Sequence, residues 1–271
     1  MRILVTNDDG VDAPGIAALA SAVHAEGHDT LVVAPLDERS GAAAAIGTLA
    51  DATRLRVERR DWPHLPGADV VGLEAAPALC VISARLGAFG EVPELVVSGI
   101  NPGLNTGRAI LHSGTVGAAL TAANHGISGV AVSLAGHDPQ HWDTAAALAL
   151  HALDWLAGAP LRTVINLNVP DLPLDQVRGV CWAQPAPLGE WHAVVNSSGS
   201  DHLTFGLRRT NIELPPDSDT ALVAAGYGAV TLLQPPSIAE WAPVAQHLER
   251  RLSAGAPPTA SPVGDAQERS A

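Results

Sequence analysis

Met1-Arg-Ile-Leu-Val-Thr-Asn-Asp-Asp-Gly10 opens the chain and decides how the rest is read. Ile3, Leu4 and Val5 form a short apolar run with two β-branched residues, the pattern of a buried strand. The run stops at polar residues closed by a glycine, which is turn chemistry. Pro14 then opens a stretch with Ile16, Leu19, Ala20 and Val23 on one helical face, and Gly27 follows it. Proline in the first turn and glycine past the last punctuate a helix. Asp8 and Asp9 therefore fall on the loop at a strand's carboxyl end, where open α/β sheets bind their ligands. Adjacent carboxylates repel unless something positive lies beside them, and a hard divalent cation meets that need. The same Asn-Asp-Asp-Gly also suits an ordinary turn, so the later loops decide between the two readings.

Thr30 to Ala34 reads as a second buried strand, ended by Pro35. Asp37-Glu-Arg-Ser-Gly41 follows at its carboxyl end; taken alone it reads as an ordinary acidic surface turn, and the alternative reading brings the Ser40 hydroxyl and the Gly41 amide to the same crevice as Asp8. Residues 42–50 are Ala-rich and show no decisive period. Leu55 and Val57 alternate with Arg and Glu, the pattern of an exposed antiparallel strand. Val70 to Leu73 resume as a strand, and Pro77 opens a helix carrying Leu79, Val81, Ile82 and Leu86. Leu95 to Val97 is a further buried strand. After it, Ser98-Gly-Ile-Asn-Pro-Gly-Leu-Asn-Thr-Gly107 reads as a loop without regular structure. Asn101 and Asn105 offer uncharged amide oxygens and nitrogens to a hard cation or to phosphate oxygens. Ser113-Gly114-Thr115 then starts a small-residue helix, and hydroxyls and unpaired amides at a helix N-terminus form an anion site.

Gly129 to Leu134 and Val164 to Val169 are strands, with a helix from Asp143 as its cap through Ala157 between them. His137 and His141 have the spacing of a metal pair, but Pro139 between them favours a solvated turn. The alternation of strands and helices predicts an α/β fold, a Rossmann-like mostly parallel sheet with helices on both faces. Beyond residue 175, Val180 to Ala183, Trp191 to Val195 and His202 to Leu207 read as short strands of a projecting hairpin. That region, about 180–217, suits an oligomer contact. A strand at Ala229 to Leu233 and a helix with Trp241, Val244, Leu248 and Leu252 complete one domain over residues 1–253. The tail 254–271, rich in Pro, Ala and Ser, is expected to be disordered.

At 271 residues with 47% hydrophobic and 3% aromatic content, the core is expected to be a close packing of small aliphatic side chains. A formal charge of −13 argues against DNA as a partner. No apolar run is long enough to cross a membrane, and the first residues lack the pattern of an export signal. Cys80 and Cys181 both lie in apolar surroundings and read as reduced thiols, which places the protein in the cytoplasm.

Taken in order, Asn7-Asp-Asp-Gly-Val-Asp-Ala-Pro-Gly-Ile16, Arg39-Ser-Gly41, Ser98 to Gly107 and Ser113-Gly-Thr-Val116 resemble the SurE survival-protein family of 5′/3′-nucleotidases. Asp143-Thr-Ala-Ala146, Asn166-Leu-Asn-Val-Pro170 and Gly226-Tyr227 extend the likeness over most of residues 1–235. The resemblance implies a metal-dependent phosphomonoesterase for nucleoside monophosphates, assembled as a homodimer or homotetramer. It implies Asp8, Asp9, Ser40 and Asn101 as ligands of one Mg²⁺ or Mn²⁺ per subunit. Asn105 and Ser113 match positions at the phosphate, and Asn7, Gly41, Gly114 and Thr115 are expected to join them. The chain departs from the family at Ala76 and Leu79, where a hydroxyl and a carboxylate are usual, at His112, usually tyrosine, and at Thr121, usually glutamate.

The expected chemistry is phosphate-ester hydrolysis in which the cation polarises the phosphoryl group and activates water. The residues leave open whether either Asp is a general base or Asp8 a covalent nucleophile. Other readings are a dehydrogenase, a phosphatase for another phosphorylated metabolite, and a non-catalytic nucleotide sensor. The dehydrogenase is disfavoured because two carboxylates in the first turn would repel a dinucleotide's pyrophosphate.

Overall fold

The opening strand lies in the interior of a nine-stranded sheet. The computed structural model describes residues 1–188, 191–209, 211–237 and 244–255. Its strands are β1 (Arg2–Thr6), β2 (Asp29–Pro35), β3 (Val57–Arg60), β4 (Asp69–Leu73), β5 (Leu95–Pro102) and β6 (Ser128–Leu134). They continue with β7 (Val164–Val169), β8 (Val180–Trp182), β9 (Trp191–Ser198), β10 (Leu203–Arg209) and β11 (Gly228–Leu233). The helices are α1 (Pro14–Ala25), α2 (Pro77–Arg85), α3 (Gly114–Asn124), α4 (Trp142–Ala157), α5 (Asp219–Ala224) and α6 (Val244–Gly255). The large sheet has the order β3–β4–β2–β1–β5–β6–β7–β11–β8, while β9 and β10 form a separate antiparallel pair.

β4, β2, β1, β5, β6 and β7 are parallel, and a helix joins β1 to β2, β4 to β5, β5 to β6 and β6 to β7. β3 and β11 are antiparallel to their neighbours β4 and β7. Alternation along each strand sends successive side chains to opposite faces. Ile3, Val5, Val97 and Val132 pack on one face with Ile16 and Leu19 of α1 and Leu153 of α4. Leu4, Val33 and Val96 pack on the other with Val81 of α2 and Ala118 of α3. Each fully buried Ile or Leu contributes about 2 kcal/mol of transfer free energy. Small residues on α3 let that helix lie close to the sheet.

Four elements differ from the sequence reading. First, β5 continues through Pro102, where a loop is expected from Ser98. Gly99 takes φ +141, a conformation L side chains rarely adopt, and a Cβ there would strike the Val132 carbonyl oxygen. The strand kinks at this point and rejoins β6 with Asn101 opposite Ser133. Second, Val180–Trp182 pairs with β11 at the sheet edge, so the hairpin is β9 and β10 alone. Third, α4 begins at Trp142 with His141 at its N-cap, and Asp143 sits in the first turn. Fourth, His141 is not a free turn residue. Its Nδ1 lies 2.8 Å from an Asp171 oxygen, and its backbone N–H donates to the same carboxylate.

The contact pattern divides the chain into two units, residues 1–235 and 236–271, whereas the sequence reading carries one domain to residue 253. In the second unit α6 exposes Val244 and Leu248, four residues apart. It extends through Gly255, past the expected start of the tail. Trp241 and the tail residues 256–271 lie outside the described residues. Among the described residues no helix is long and apolar enough to cross a membrane.

Candidate active site

The site is built from the loops that leave the carboxyl ends of β1, β2 and β5 and from the start of α3. Asn7 closes the first loop on itself. Its side-chain amide donates to the Gly10 carbonyl at 2.9 Å, and its Oδ1 accepts the Gly10 N–H at 3.3 Å. Fully buried and engaged at both ends of its amide, Asn7 shapes the turn that presents the next two residues.

Asp8 is buried, and its Oδ1 accepts the Thr115 hydroxyl at 2.5 Å. The backbone N–H groups of Gly114 and Thr115 also favour its carboxylate. Gly114 makes this approach feasible, because a Cβ there would stand 2.7 Å from Asp8 Oδ2. Burial nonetheless raises the Asp8 pKa above its ordinary value, against the pull of these hydrogen bonds. Asp9 is partly exposed, and its pKa is pushed up to about 7, first by burial, then by the charges of Asp8 and Glu38. Among the described residues neither carboxylate forms an ion pair.

Asn101 joins them from β5. Its Nδ2 donates to the Gly103 carbonyl at 2.6 Å, and its Oδ1 lies 3.3 Å from the Thr115 hydroxyl. Asp8, Thr115 and Asn101 thus converge from three elements. The β2 loop is tied in by the Arg39 N–H, which donates to the Asp8 carbonyl at 2.6 Å. Ser40 and Gly41 are exposed on that loop, and the Ser40 hydroxyl donates to Glu38 Oε1 at 2.8 Å. The structure brings Asp8 and Asn101 together through Thr115, sets Asp9 within the field of Asp8, and leaves Ser40 on the adjoining loop, its hydroxyl on Glu38.

Of the residues expected at phosphate, Ser113 caps α3, its Oγ accepting the Val116 N–H at 3.1 Å while its own proton remains to be donated. Gly114 and Thr115 face Asp8 instead. Asn105 is buried and held from three directions. Its Nδ2 donates to Ser133 Oγ at 2.8 Å, its N–H donates to Asn168 Oδ1 at 2.9 Å, and its carbonyl accepts from Asn166 and Asn168 Nδ2. Farther along the loop the fully buried Asp219 accepts the N–H groups of Gly107, Ala186 and Thr220 at 2.8–2.9 Å. Thr220 Oγ1 adds a hydrogen bond to Thr106 Oγ1.

The roles of Thr115, Asp219, Asn166 and Asn168 as supports of the site are not read from the sequence. A usable signal exists for the last two, since two amides that alternate in an apolar strand share one face and need buried partners.

Among the described residues no three His, Cys, Asp or Glu side chains converge as a metal-binding group. The available donors are two carboxylates and neutral amide and hydroxyl oxygens, a set that fits a hard, oxygen-loving cation. An apolar groove of about 430 Å³ lined by Leu148, Trp155, Val180 and Trp182 lies at the β8 edge and contains none of these groups.

Two of the four departures from the family pattern, Leu79 and Thr121, are buried, while Ala76 is the half-buried N-cap of α2. Ala76 precedes α2, Leu79 is buried against the sheet, and Thr121 donates to the Gly117 carbonyl at 2.7 Å. His112 is exposed and precedes Ser113 in sequence.

A family model described as survival protein SurE matches residues 3–189. A protein of Serratia proteamaculans (strain 568) named 5′/3′-nucleotidase SurE is 39% identical over 240 residues, covering 86% of this chain and 90% of its own. The equally named protein of Yersinia pseudotuberculosis serotype O:1b is 39% identical with the same coverage. Among solved structures, the SurE protein of Aquifex aeolicus superposes with a TM-score of 0.73 at 24% identity. That match covers 92% of this chain and all of the other.

Proposed function

The chain belongs to the SurE survival-protein family, and from that membership and the loop cluster we propose that it is a metal-dependent phosphomonoesterase that hydrolyses nucleoside 5′- and 3′-monophosphates. The observation that carries the metal reading is the pair Asp8 and Asp9, desolvated side by side without a basic partner among the described residues. A fold that accepts such repulsion is one whose working state includes a cation.

Asp8, Asp9, Asn101 and Ser40 would hold Mg²⁺ or Mn²⁺, with the Ser40 hydroxyl leaving Glu38 to do so. When bound, the ion supplies positive charge that polarises the phosphoryl group and lowers the pKa of water. Thr115 fixes the direction of Asp8 through its hydroxyl, and the Gly114 and Thr115 amides favour the ionised carboxylate. Ser113 donates its free hydroxyl proton to a phosphoryl oxygen. Asn105, immobilised by Asn166, Asn168 and Ser133, presents its remaining amide valences to the same group. Donors fixed before the reaction stabilise developing charge without reorganisation, which is where enzymes gain most. Asp9 has no hydroxyl tie like that of Asp8, so it is the freer of the two to hold or pass a proton.

Assembly as a homodimer or homotetramer is supported by the exposed Val195, Leu203, Phe205 and Leu207 of the β9–β10 hairpin. A cytoplasmic setting is supported by the two free thiols.

The test is phosphate release from nucleoside monophosphates with Mn²⁺ and with EDTA, in the wild type and in Asp8→Asn. Turnover is expected only for the wild type with metal. Equal turnover in EDTA, or full activity in the variant, would refute the reading.

A further inference from the structure

His137 and Trp191 form an aromatic pair that the proposed mechanism does not use. Their ring centroids are 5.6 Å apart with planes tilted by 53°. His137 is exposed, and Trp191 keeps 39% of its surface open. Trp142, by contrast, packs against the core.

Both rings are tethered to the loop that carries Asn101 and Asn105. On one side the Leu134 carbonyl, at the end of β6, accepts the Gly103 N–H at 2.8 Å, and His137 is three residues further on. Ser133, one residue before Leu134, holds the Asn105 amide. On the other side the Leu188 backbone lies so close to Gly107 that a Cβ there would be 2.8 Å from it, and Trp191 again follows by three residues. Three residues span at most about 10 Å. The pair is therefore held within about 10 Å of the residues that contact Gly103 and Gly107 of this loop. The Ser40 loop approaches from the β2 side, across β1.

We propose that Trp191, with His137 against it, is the platform on which the nucleobase of the substrate stacks. This rests on the phosphatase reading and adds to it the part of the substrate that is not phosphate. An indole presents a large π face to any purine or pyrimidine, so the platform selects nucleotides over simple sugar phosphates without reading base identity.

The experiment compares kcat/KM for AMP with kcat/KM for ribose 5-phosphate, which carries the same phosphate and sugar without a base. In Trp191→Ala the ratio is expected to fall about tenfold, the scale of one lost base–aromatic stack. Trp191→Phe should restore most of the ratio, and His137→Ala should lower it less. An unchanged ratio in Trp191→Ala, including equal loss on both substrates, would overturn the platform. Release of phosphate from neither substrate by the wild type with Mn²⁺ would overturn the phosphatase reading and the platform with it.

Discussion

The cost of holding Asp8 and Asp9 together is measurable without any substrate. In the metal-free protein, Asp9→Asn removes one of the two charges while preserving shape. The Asp9 pKa stands near 7 in the fold against an ordinary 3.8, raised by burial and then by the charges of Asp8 and Glu38. A displacement of that size corresponds to about 4 kcal/mol of preference for the neutral form. Partial exposure and screening reduce this to about 2 kcal/mol. The sign follows from proton counting. Between about pH 4 and pH 7 the folded chain binds a proton that the unfolded chain has released, so stability is lost as pH rises through that window and the penalty is full above it.

The assay is thermal melting of both proteins in EDTA from pH 5 to pH 8. The difference between them cancels the titrating groups that do not interact with Asp9 and leaves Asp9 with its neighbours Asp8 and Glu38. Asp9→Asn should melt about 5 °C above the wild type at pH 8, using the usual conversion for a chain of this size, and the gap should narrow toward pH 5. Saturating Mn²⁺ should reverse the order, since a ligand at a hundred times its Kd adds about 2.7 kcal/mol to the form that binds it. Parallel melting curves across the pH range, or a variant less stable than the wild type at pH 8 in EDTA, would refute the claim that this pair is under electrostatic load.

Other consequences are equally direct. Thr115→Val removes the hydroxyl that orients Asp8. It should weaken Mn²⁺ binding by roughly 10–100-fold by calorimetry, with little change in the circular dichroism spectrum. Gly114→Ala places a Cβ 2.7 Å from both Asp8 Cβ and Asp8 Oδ2, so Asp8 must shift, and phosphate release should fall at least about tenfold. Asp219→Asn swaps a carboxylate oxygen for an N–H donor facing backbone N–H groups. It should cost about 1–3 kcal/mol in denaturant unfolding, a buried donor left unsatisfied being the mechanism.

Much of this protein was legible in one dimension. Hydrophobic period and punctuation are local properties, so Ile3 to Val5, Pro14 to Gly27 and Val164 to Val169 announced strand, helix and strand before any contact was known. The same locality put Asp8 and Asp9 at a strand's carboxyl end, and the ordered motifs carried the family. The kinked continuation of β5 was hidden. Ser98 to Gly107 has loop composition, yet Gly99 lets the backbone bend against Val132 and resume pairing, a choice made by the neighbouring strand.

The supports of the site were hidden for the same reason. Thr115 is 107 residues from Asp8, and Asp219 is 112 from Gly107. Nothing in either residue's own neighbourhood names its partner. Periodicity reports which side of an element faces inward, because that depends on residues a turn or two apart. Which buried acid meets which hydroxyl depends on strand order and crossovers, so it is decided only when the sheet is assembled.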